Sequence, residues 1–289
     1  MTSPRFILGL DPHPDHCRVV RVRVDSIRPE VVEAVTVDRF NPLNPDFCRD
    51  TEAAVIVPDH QVIVKYLTLP EQGTDIRDRA LFELAQSLTG PEKDYLLDTL
   101  PTGLDRLNLG LAVRRDQLAA IMSLPYKEIS SEVEPTAALP RSLALAYGYL
   151  SYCVPASGNL VVLLDIAFPE ASIAFVHNRA VVALMNLPTA SIDFTNPPEC
   201  ERFTIELKTI VNFRLATLFG HGLTFSPAAL VLSGDHTAAL QHTLEKYFSM
   251  PIVPPEINTG FLGDHLRQEP APMHRFLAPL GLTAKSLAQ

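Results

Sequence analysis

The sequence predicts an α/β protein built from two similar halves. Residues 6–11 (FILGLD) and residues 160–165 (LVVLLD) are both apolar runs that end at an aspartate. A run without polar alternation is typical of a strand that is buried on both faces of its sheet. Each run is followed by a short irregular stretch, two more β-rich segments and then helical segments. The β-rich segments are residues 17–24 and 31–40 in the first half, and residues 171–177 and 180–187 in the second. This repeated order predicts a duplicated unit of three strands.

The other elements are predicted from periodicity and from the positions of proline and glycine. In the first half we expect strands at residues 53–57, 61–69, 95–100 and 106–114, and helices at residues 75–88, 116–123 and 137–152. In the second half we expect helices at residues 201–219 and 237–248, strands at residues 229–232 and 251–253, and a proline-containing C-terminal tail. Pro, Ser, Gly and Asn cluster near residues 154–159, which predicts a boundary between a first half, 1–153, and a second half, 154–289.

Residues 58–125 are expected to form a small α+β subdomain inserted in the first half. Positions 81, 84, 85 and 88 of its helix make an apolar stripe, so Leu84 and Leu88 should pack on the strand near residues 107–113. Phe82 lies off this stripe, and two readings stay open for it. It packs on the same strands, or it faces a partner or the parent half.

Composition narrows the class of protein. The chain has 289 residues, a net charge of −9, 47% hydrophobic residues and 20% charged residues, which is typical of a folded globular protein. The acidic balance gives no electrostatic reason to expect nucleic-acid binding. The 4 cysteines are widely spaced and contain no CxxC pair, which disfavours a zinc ribbon or a disulfide framework. No targeting segment is recognised, and the two long uncharged windows are broken by Pro, Gly and polar residues. We therefore expect a soluble, cytoplasmic protein.

Several short segments resemble one known family. The Asp-tipped strands resemble the actin/sugar-kinase/Hsp70 ATPase fold, and within it the chain resembles the PilM family of type IV pilus assembly proteins. The matching segments are Gly9-Leu10-Asp11 with Arg18-Val19-Val20, residues 57–70, residues 206–213, Leu232-Ser233-Gly234 and Leu280-Gly281-Leu282. The likeness spans nearly the whole chain, and it predicts an actin-like ATPase fold with two duplicated halves around a cleft.

The resemblance also implies a nucleotide site. In this fold ATP lies in the cleft, two β-hairpin loops wrap its phosphates, and a carboxylate at each strand tip organises Mg²⁺. Asp11 and Asp165 would then face each other across the cleft, and they would be the metal ligands if Mg–ATP binds. The residues that the resemblance carries into this cleft are Asp11, His13, Asp165, Ala167, Glu206 and Gly234.

The loops of this chain depart from the family pattern in ways that disfavour phosphate. The first loop, residues 11–16 (DPHPDH), has no glycine, its two prolines lack N–H groups, and Asp15 adds a negative charge. Compared with the family pattern, Ala167 also replaces a glycine and Ile210 replaces a serine. The family's Gly-Gly pair is Gly234-Asp235 in this chain. The chain as a whole has 25 prolines and only 13 glycines. We therefore expect an ATP site that is lost or weakened, with ATP and Mg²⁺ left open as ligands.

The sequence offers no catalytic residue. Walker A, GxGxxG, HExxH and GxSxG motifs are absent. The close spacing of Asp11, His13, Asp15 and His16 suits either a transition-metal site or a solvated turn, and the turn is the preferred reading.

By resemblance, the expected function is that of a cytoplasmic scaffold in a type IV pilus or related secretion machine, and not that of an enzyme. Such a scaffold would bind the cytosolic N-terminal peptide of an inner-membrane partner, and it would reach the membrane only through that partner. Two alternatives stay open. One is an active Mg–ATP-binding actin-like ATPase with diverged loops, and the other is an unrelated α/β protein whose internal repeat is a coincidence.

Overall fold

The computed structural model describes residues 5–24, 28–38, 48, 51–69, 76–123, 133–156, 159–268 and 272–287. The strands are β1 Arg5–Pro12, β2 His16–Val24, β3 Pro29–Asp38, β4 Thr51–Val57, β5 Val62–Thr68, β6 Tyr95–Pro101, β7 Leu107–Arg114, β8 Pro135–Pro140, β9 Leu160–Ile166, β10 Glu170–His177, β11 Ala180–Pro188, β12 Ala229–Gly234 and β13 Ile252–Val253. The α-helices are α1 Ile76–Gln86, α2 Arg115–Ser123, α3 Arg141–Tyr152, α4 Pro197–Gly220, α5 Thr237–Tyr247, α6 Asp264–Gln268 and α7 Leu277–Leu287.

The duplicated strand order is confirmed. One sheet has the order β3-β2-β1-β4-β8, and a second sheet has the order β11-β10-β9-β12-β13. In each sheet the first three strands of the unit form an antiparallel meander, and a parallel strand then pairs with the opening strand. The registers also match, because Asp11 pairs with Arg18 and Asp165 pairs with Ser172. The two Asp-tipped hairpins are therefore equivalent elements of the repeat.

The contacts divide the chain into two compact units that differ from the expected halves. The first unit contains residues 1–58, 117–155 and 255–289, and the second contains residues 59–116 and 156–254. Residues 59–116 join the second unit because Leu107 is buried in the core of its sheet and because the Tyr66 hydroxyl bonds to Leu184 of β11. Residues 255–289 join the first unit because α7 packs against α3 and β1.

The inserted segment has its own small sheet, with the order β5-β7-β6. Leu84 of α1 is fully buried in a cluster with Leu67, Tyr95 and Ala112, and Leu88 packs against this cluster. The expected packing of Leu84 and Leu88 is confirmed. The side chain of Phe82, in contrast, is 64% exposed, so it does not pack on the strands.

Two expectations about local structure were wrong. Residues 135–140 form the edge strand β8, and the helix predicted from residue 137 begins at Arg141. Proline is tolerated at an edge strand because no second neighbour needs its N–H. The expected C-terminal tail contains helices α6 and α7. Pro279 lies in the first turn of α7, where its missing N–H has no helical acceptor.

A close approach of two helices explains the position of α7. A Cβ atom at Gly281 would clash with the backbone oxygen of Ala144 in α3, and a Cβ atom at Gly148 would clash with the backbone oxygen of Leu277. The two glycines let the backbones of α3 and α7 touch, so only glycine fits at either position. This contact covers one face of the first sheet, where Val20, Val22 and neighbouring side chains pack against Phe276 and Leu280.

Candidate functional site

The first hairpin ends in a short turn between β1 and β2. Its backbone closes through a hydrogen bond of 2.8 Å from the His13 N–H to the oxygen of His16. Asp11 lies one residue pair before the turn, opposite Arg18 in the β1–β2 register. The carboxylate of Asp11 is completely buried, and it is therefore shielded from water in this structure.

The buried Asp11 carboxylate is held by cationic side chains. Arg141 donates to both carboxylate oxygens, with 2.9 Å between Nη1 and Oδ2 and a second bond from Nη2 to Oδ1. The Nε2 atom of His13 lies 3.1 Å from Oδ2, and Nη1 of Arg18 lies 3.9 Å from the same oxygen. Burial alone would raise the pKa of Asp11, but the charges of Arg141, His13 and Arg18 outweigh it and hold this pKa well below its usual range.

The local sequence explains how two arginines reach one buried aspartate. Arg141 is the first residue of α3 and follows Pro140, which ends β8. Arg18 lies on the same face of β2 as Val20 and Val22, since side chains alternate along a strand. That face points into the core, and Arg18 also donates a bond of 3.3 Å to the backbone oxygen of Arg275. Both guanidinium groups are therefore directed inward by the elements that carry them.

The histidines of this hairpin form a stacked pair. The ring centroids of His13 and His16 lie 4.4 Å apart with an angle of 10° between the planes. The Nδ1 atom of His16 lies 2.7 Å from the exposed carboxylate of Asp15, while His13 faces Asp11. Within the described ranges, no group of three or more His, Cys, Asp or Glu side chains is arranged to hold a metal ion. Each histidine is thus paired with its own aspartate, and the His13–Asp11 pair is buried whereas Asp15 lies at the surface.

The second hairpin places Asp165 at the equivalent position of β9, with different partners. Asp165 is buried, and the Ser233 hydroxyl donates to its Oδ1 atom over 2.7 Å. The backbone oxygen of Ala167 accepts a bond of 2.7 Å from the Thr189 hydroxyl. Gly234 has a φ of +88°, and a Cβ atom there would clash with the backbone of Ile166. Here the glycine serves the close packing of β12 against β9.

The structure brings the predicted site residues together in two groups and leaves one outside. Asp11 and His13 are in direct contact in the first unit. Asp165 and Gly234 come together in the second unit, because Ser233 and Gly234 pair with Asp165 and Ile166 in the β12–β9 register, and Ala167 follows Ile166 directly. Glu206 lies on the exposed side of α4, beside the buried Leu207.

Some residues that shape these hairpins were not predicted as site residues. They are Arg18, Arg141, Glu170 and Ser233. Arg141 had a usable signal, because it is the only charged residue in a helix of otherwise small, apolar and aromatic residues and must therefore find a partner. Arg18 also had one, since it shares a strand face with two valines. Glu170 and Ser233 depend on long-range contacts and had no local signal.

Comparison with solved structures identifies the fold. The chain is similar to the "PilM-PilN type IV pilus biogenesis complex", with a TM-score of 0.72 and 15% identity over 97% of this chain and 98% of that chain. It is also similar to the cytoplasmic domain of EpsL, an inner membrane component of the type II secretion system of Vibrio cholerae, with a TM-score of 0.47 and 11% identity over 99% and 96% of the two chains. A protein with an actin-like ATPase fold from Bacteroides thetaiotaomicron gives a TM-score of 0.48 and 9% identity over 94% and 95%.

The likeness with a TM-score of 0.72, together with the duplicated sheets, confirms the expected actin-like ATPase fold. At 15% identity, this likeness shows the fold alone. No protein-family model and no curated protein matches the chain. Among the helices in the described ranges, none is long and apolar enough to cross a membrane.

Proposed function

We propose that this chain is a cytoplasmic scaffold of a type IV pilus or related secretion machine. In this role it binds the cytosolic N-terminal peptide of an inner-membrane assembly protein and connects that partner to the motor ATPase side of the machine. It reaches the membrane only through the partner, and its ATP site is lost or weakened. The likeness of the whole chain to a PilM–PilN complex supports the choice of machine.

The pairing of Asp11 with Arg141 is the observation that carries the proposal of a weakened ATP site. A carboxylate that organises Mg²⁺ must turn its oxygens toward the ion and its waters. Both Asp11 oxygens are instead taken by one guanidinium, and Arg18 adds a second positive charge nearby. A divalent cation would meet two buried cations at this position, so the residues of the first hairpin do not fit Mg²⁺.

The energetic cost of Mg²⁺ binding at this hairpin can be bounded. Breaking a buried ion pair by taking one partner away costs about 3–5 kcal/mol, which corresponds to a loss of affinity of about 10²- to 10⁴-fold. The prolines at positions 12 and 14 also remove two N–H donors, and each lost bond to a charged group costs about 1–2 kcal/mol. Both effects act in the same direction, and a micromolar ATP site would be weakened at least to the millimolar range.

Isothermal titration calorimetry with ATP, with and without Mg²⁺, tests this part of the proposal. We expect no low-micromolar Mg²⁺-dependent binding, no ATP hydrolysis above background, and no effect of Asp165→Ala on either. Asp98→Ala, which changes an exposed aspartate of β6, is the matched control. Tight Mg²⁺-dependent binding that Asp165→Ala abolishes and Asp98→Ala preserves would contradict the proposal and support an active actin-like ATPase.

Peptide binding tests the scaffold role directly. The probe is a fluorescein-labelled synthetic peptide with the cytosolic N-terminal sequence of an inner-membrane pilus or secretion protein encoded in the same genome. Fluorescence anisotropy should show saturable binding of this peptide, and a scrambled peptide of the same composition should not bind. If both peptides bind equally, or if neither binds, the proposed partner is wrong whatever the ATP titration shows.

A further inference from the structure

We propose that the hydrogen bonds of Glu170 to residues 59 and 60, called the tie below, couple the second hairpin mechanically to the start of residues 59–116. Through this tie, a displacement of the hairpin loop is passed to the segment that carries β5, β6, β7 and α1. The proposal rests on contacts within the second unit and does not depend on the pilus role or on the ATP site.

Three N–H groups donate to the Glu170 carboxylate, and a histidine ring nitrogen lies beside it. Its Oε1 atom accepts a bond of 2.6 Å from the Asp59 N–H. Its Oε2 atom accepts bonds of 2.9 Å from the His60 N–H and from the Asn186 side-chain amide, and the His60 Nδ1 atom lies 3.1 Å away. Glu170 is only 3% exposed. A buried carboxylate without such donors is strongly disfavoured, so the contact and the burial of Glu170 depend on each other.

One side of the tie fixes the beginning of the segment. Asp59 is the residue at which the chain enters the second unit, and residues 59–61 form a single 3₁₀ turn that runs directly into β5 at Val62. The Asp59 side chain is itself buried. No loop separates the bonded N–H groups of Asp59 and His60 from β5, so a shift of these residues must shift the strand.

The other side of the tie is the hairpin loop. Glu170 is the first residue of β10 and follows loop residues 167–169 without a spacer. The loop is held by the residue that follows β11, because Thr189 donates to Ala167 through its hydroxyl over 2.7 Å and to Pro169 through its N–H over 2.8 Å. The residue at the end of this loop therefore binds the backbone N–H groups of residues 59 and 60.

Amide hydrogen exchange at Asp59 and His60, followed by NMR, tests the tie. In Glu170→Ala these two amides should exchange at least about 10-fold faster, which is about 1.4 kcal/mol of local opening free energy. Glu170→Gln keeps one acceptor oxygen and should show an intermediate rate. Glu245→Ala, which changes an exposed glutamate of α5, is the control and should leave both amides unchanged.

A double-mutant cycle tests the coupling itself. Thr189→Val removes the hydroxyl bond to Ala167 with little change in side-chain volume, so it loosens the loop without touching Glu170. If displacement travels through Glu170, Thr189→Val should speed exchange at Asp59 and His60, and should add nothing in a Glu170→Ala background.

The outcomes that would overturn the proposal are specific. Exchange at Asp59 and His60 that changes less than about 2-fold in Glu170→Ala would show that the carboxylate does not hold the segment. An equal effect of Thr189→Val with and without Glu170 would show that the coupling takes another route. If Glu170→Ala does not fold, Glu170→Gln and Asn186→Ala replace it, and unchanged exchange in both would refute the tie.

Discussion

Replacing Asp11 by asparagine removes the buried negative charge of the first hairpin with almost no change in side-chain size. The Arg141 guanidinium, which lies 2.9 Å from Asp11, is then left buried beside the Arg18 cation with no anion between them. Removing one partner of a buried ion pair costs about 3–5 kcal/mol. Because a domain of ordinary size has a free energy of unfolding of about 5–15 kcal/mol, Asp11→Asn should remove a large part of the stability of the first unit.

The pH dependence of the free energy of unfolding provides a second, independent test of this prediction. The pKa of Asp11 is lowered in the folded protein, since the charges of Arg141, His13 and Arg18 overcome the effect of burial. A carboxyl group with a lowered pKa stabilises the fold above its unfolded pKa, and this contribution is lost as the pH falls toward the folded value. With an unfolded pKa of about 3.9, the contribution should shrink by about 1 kcal/mol between pH 7 and pH 3. Asp11→Asn lacks this loss. The difference in the free energy of unfolding between the wild-type protein and Asp11→Asn should therefore be smaller at pH 3 than at pH 7 by that amount.

Urea unfolding at pH 7 and at pH 3 measures both effects. Asp15→Asn is the control. The Asp15 side chain is 85% exposed and its carboxylate contacts the neighbouring His16, so the loss in free energy of unfolding should stay below about 0.5 kcal/mol. The double variant Asp11→Asn/Arg141→Met should recover part of the loss, because no cation is then left without its anion at position 141. A loss in the free energy of unfolding below about 1 kcal/mol for Asp11→Asn would refute the stabilising role of this ion pair. The same loss at pH 7 and at pH 3 would refute it as well.

Two further predictions concern packing, and urea unfolding measures both. Leu84→Ala should destabilise the protein by about 2–5 kcal/mol because this side chain is fully buried, whereas Phe82→Ala should change stability by less than about 0.5 kcal/mol because Phe82 is largely exposed. Equal costs for the two would mean that α1 is rotated about its axis. Gly281→Ala should cost more than about 2 kcal/mol, since the added Cβ meets the backbone oxygen of Ala144, which cannot move without α3. A neutral Gly281→Ala would show that the two helices lie farther apart.

The repeat could be predicted from the sequence because each piece of it is local. Residues 6–11 and 160–165 show in six positions that a strand is buried on both faces and ends in a carboxylate, and no distant contact is needed to recognise them. The hairpin that follows each run is equally local. For this reason the three-stranded unit that opens each half could be expected from the sequence, whereas the edge strand β8 and the grouping of the segments into compact units could not.

The elements that were mispredicted depend on distant partners. Residues 135–140 (PTAALP) begin and end with proline and show no apolar–polar alternation, and they form a strand only because β4 offers a free parallel edge. The helix at residues 277–287 contains a proline and glycine, and it is stable because α3 accepts its backbone at close range. Tertiary contacts override local preference in both places, and a single sequence does not record such contacts.

The equivalent positions of the two aspartates could be predicted from the sequence, but the residues that contact them could not. Asp11 and Asp165 occupy the same register position in two copies of one hairpin, yet Asp11 faces two arginines and Asp165 accepts a bond from a serine hydroxyl. Arg141 lies 130 residues from Asp11 along the chain, so no local pattern could pair them. The duplicated fold thus determines the position of each carboxylate, while contacts from residues distant in the sequence determine which ligands it can bind.

Two independent features of the first hairpin support the proposed weakening of the ATP site. The Arg141 guanidinium binds the Asp11 carboxylate, and the prolines at positions 12 and 14 lack N–H donors. Neither change requires the other, and reversing one leaves the second in place. The ion pair also stabilises the fold in its own right, so a substitution of Arg141 would leave the buried Asp11 without its bidentate partner. The proposed loss of nucleotide binding is therefore tied to the stability of the first unit, and a single substitution is not expected to restore it.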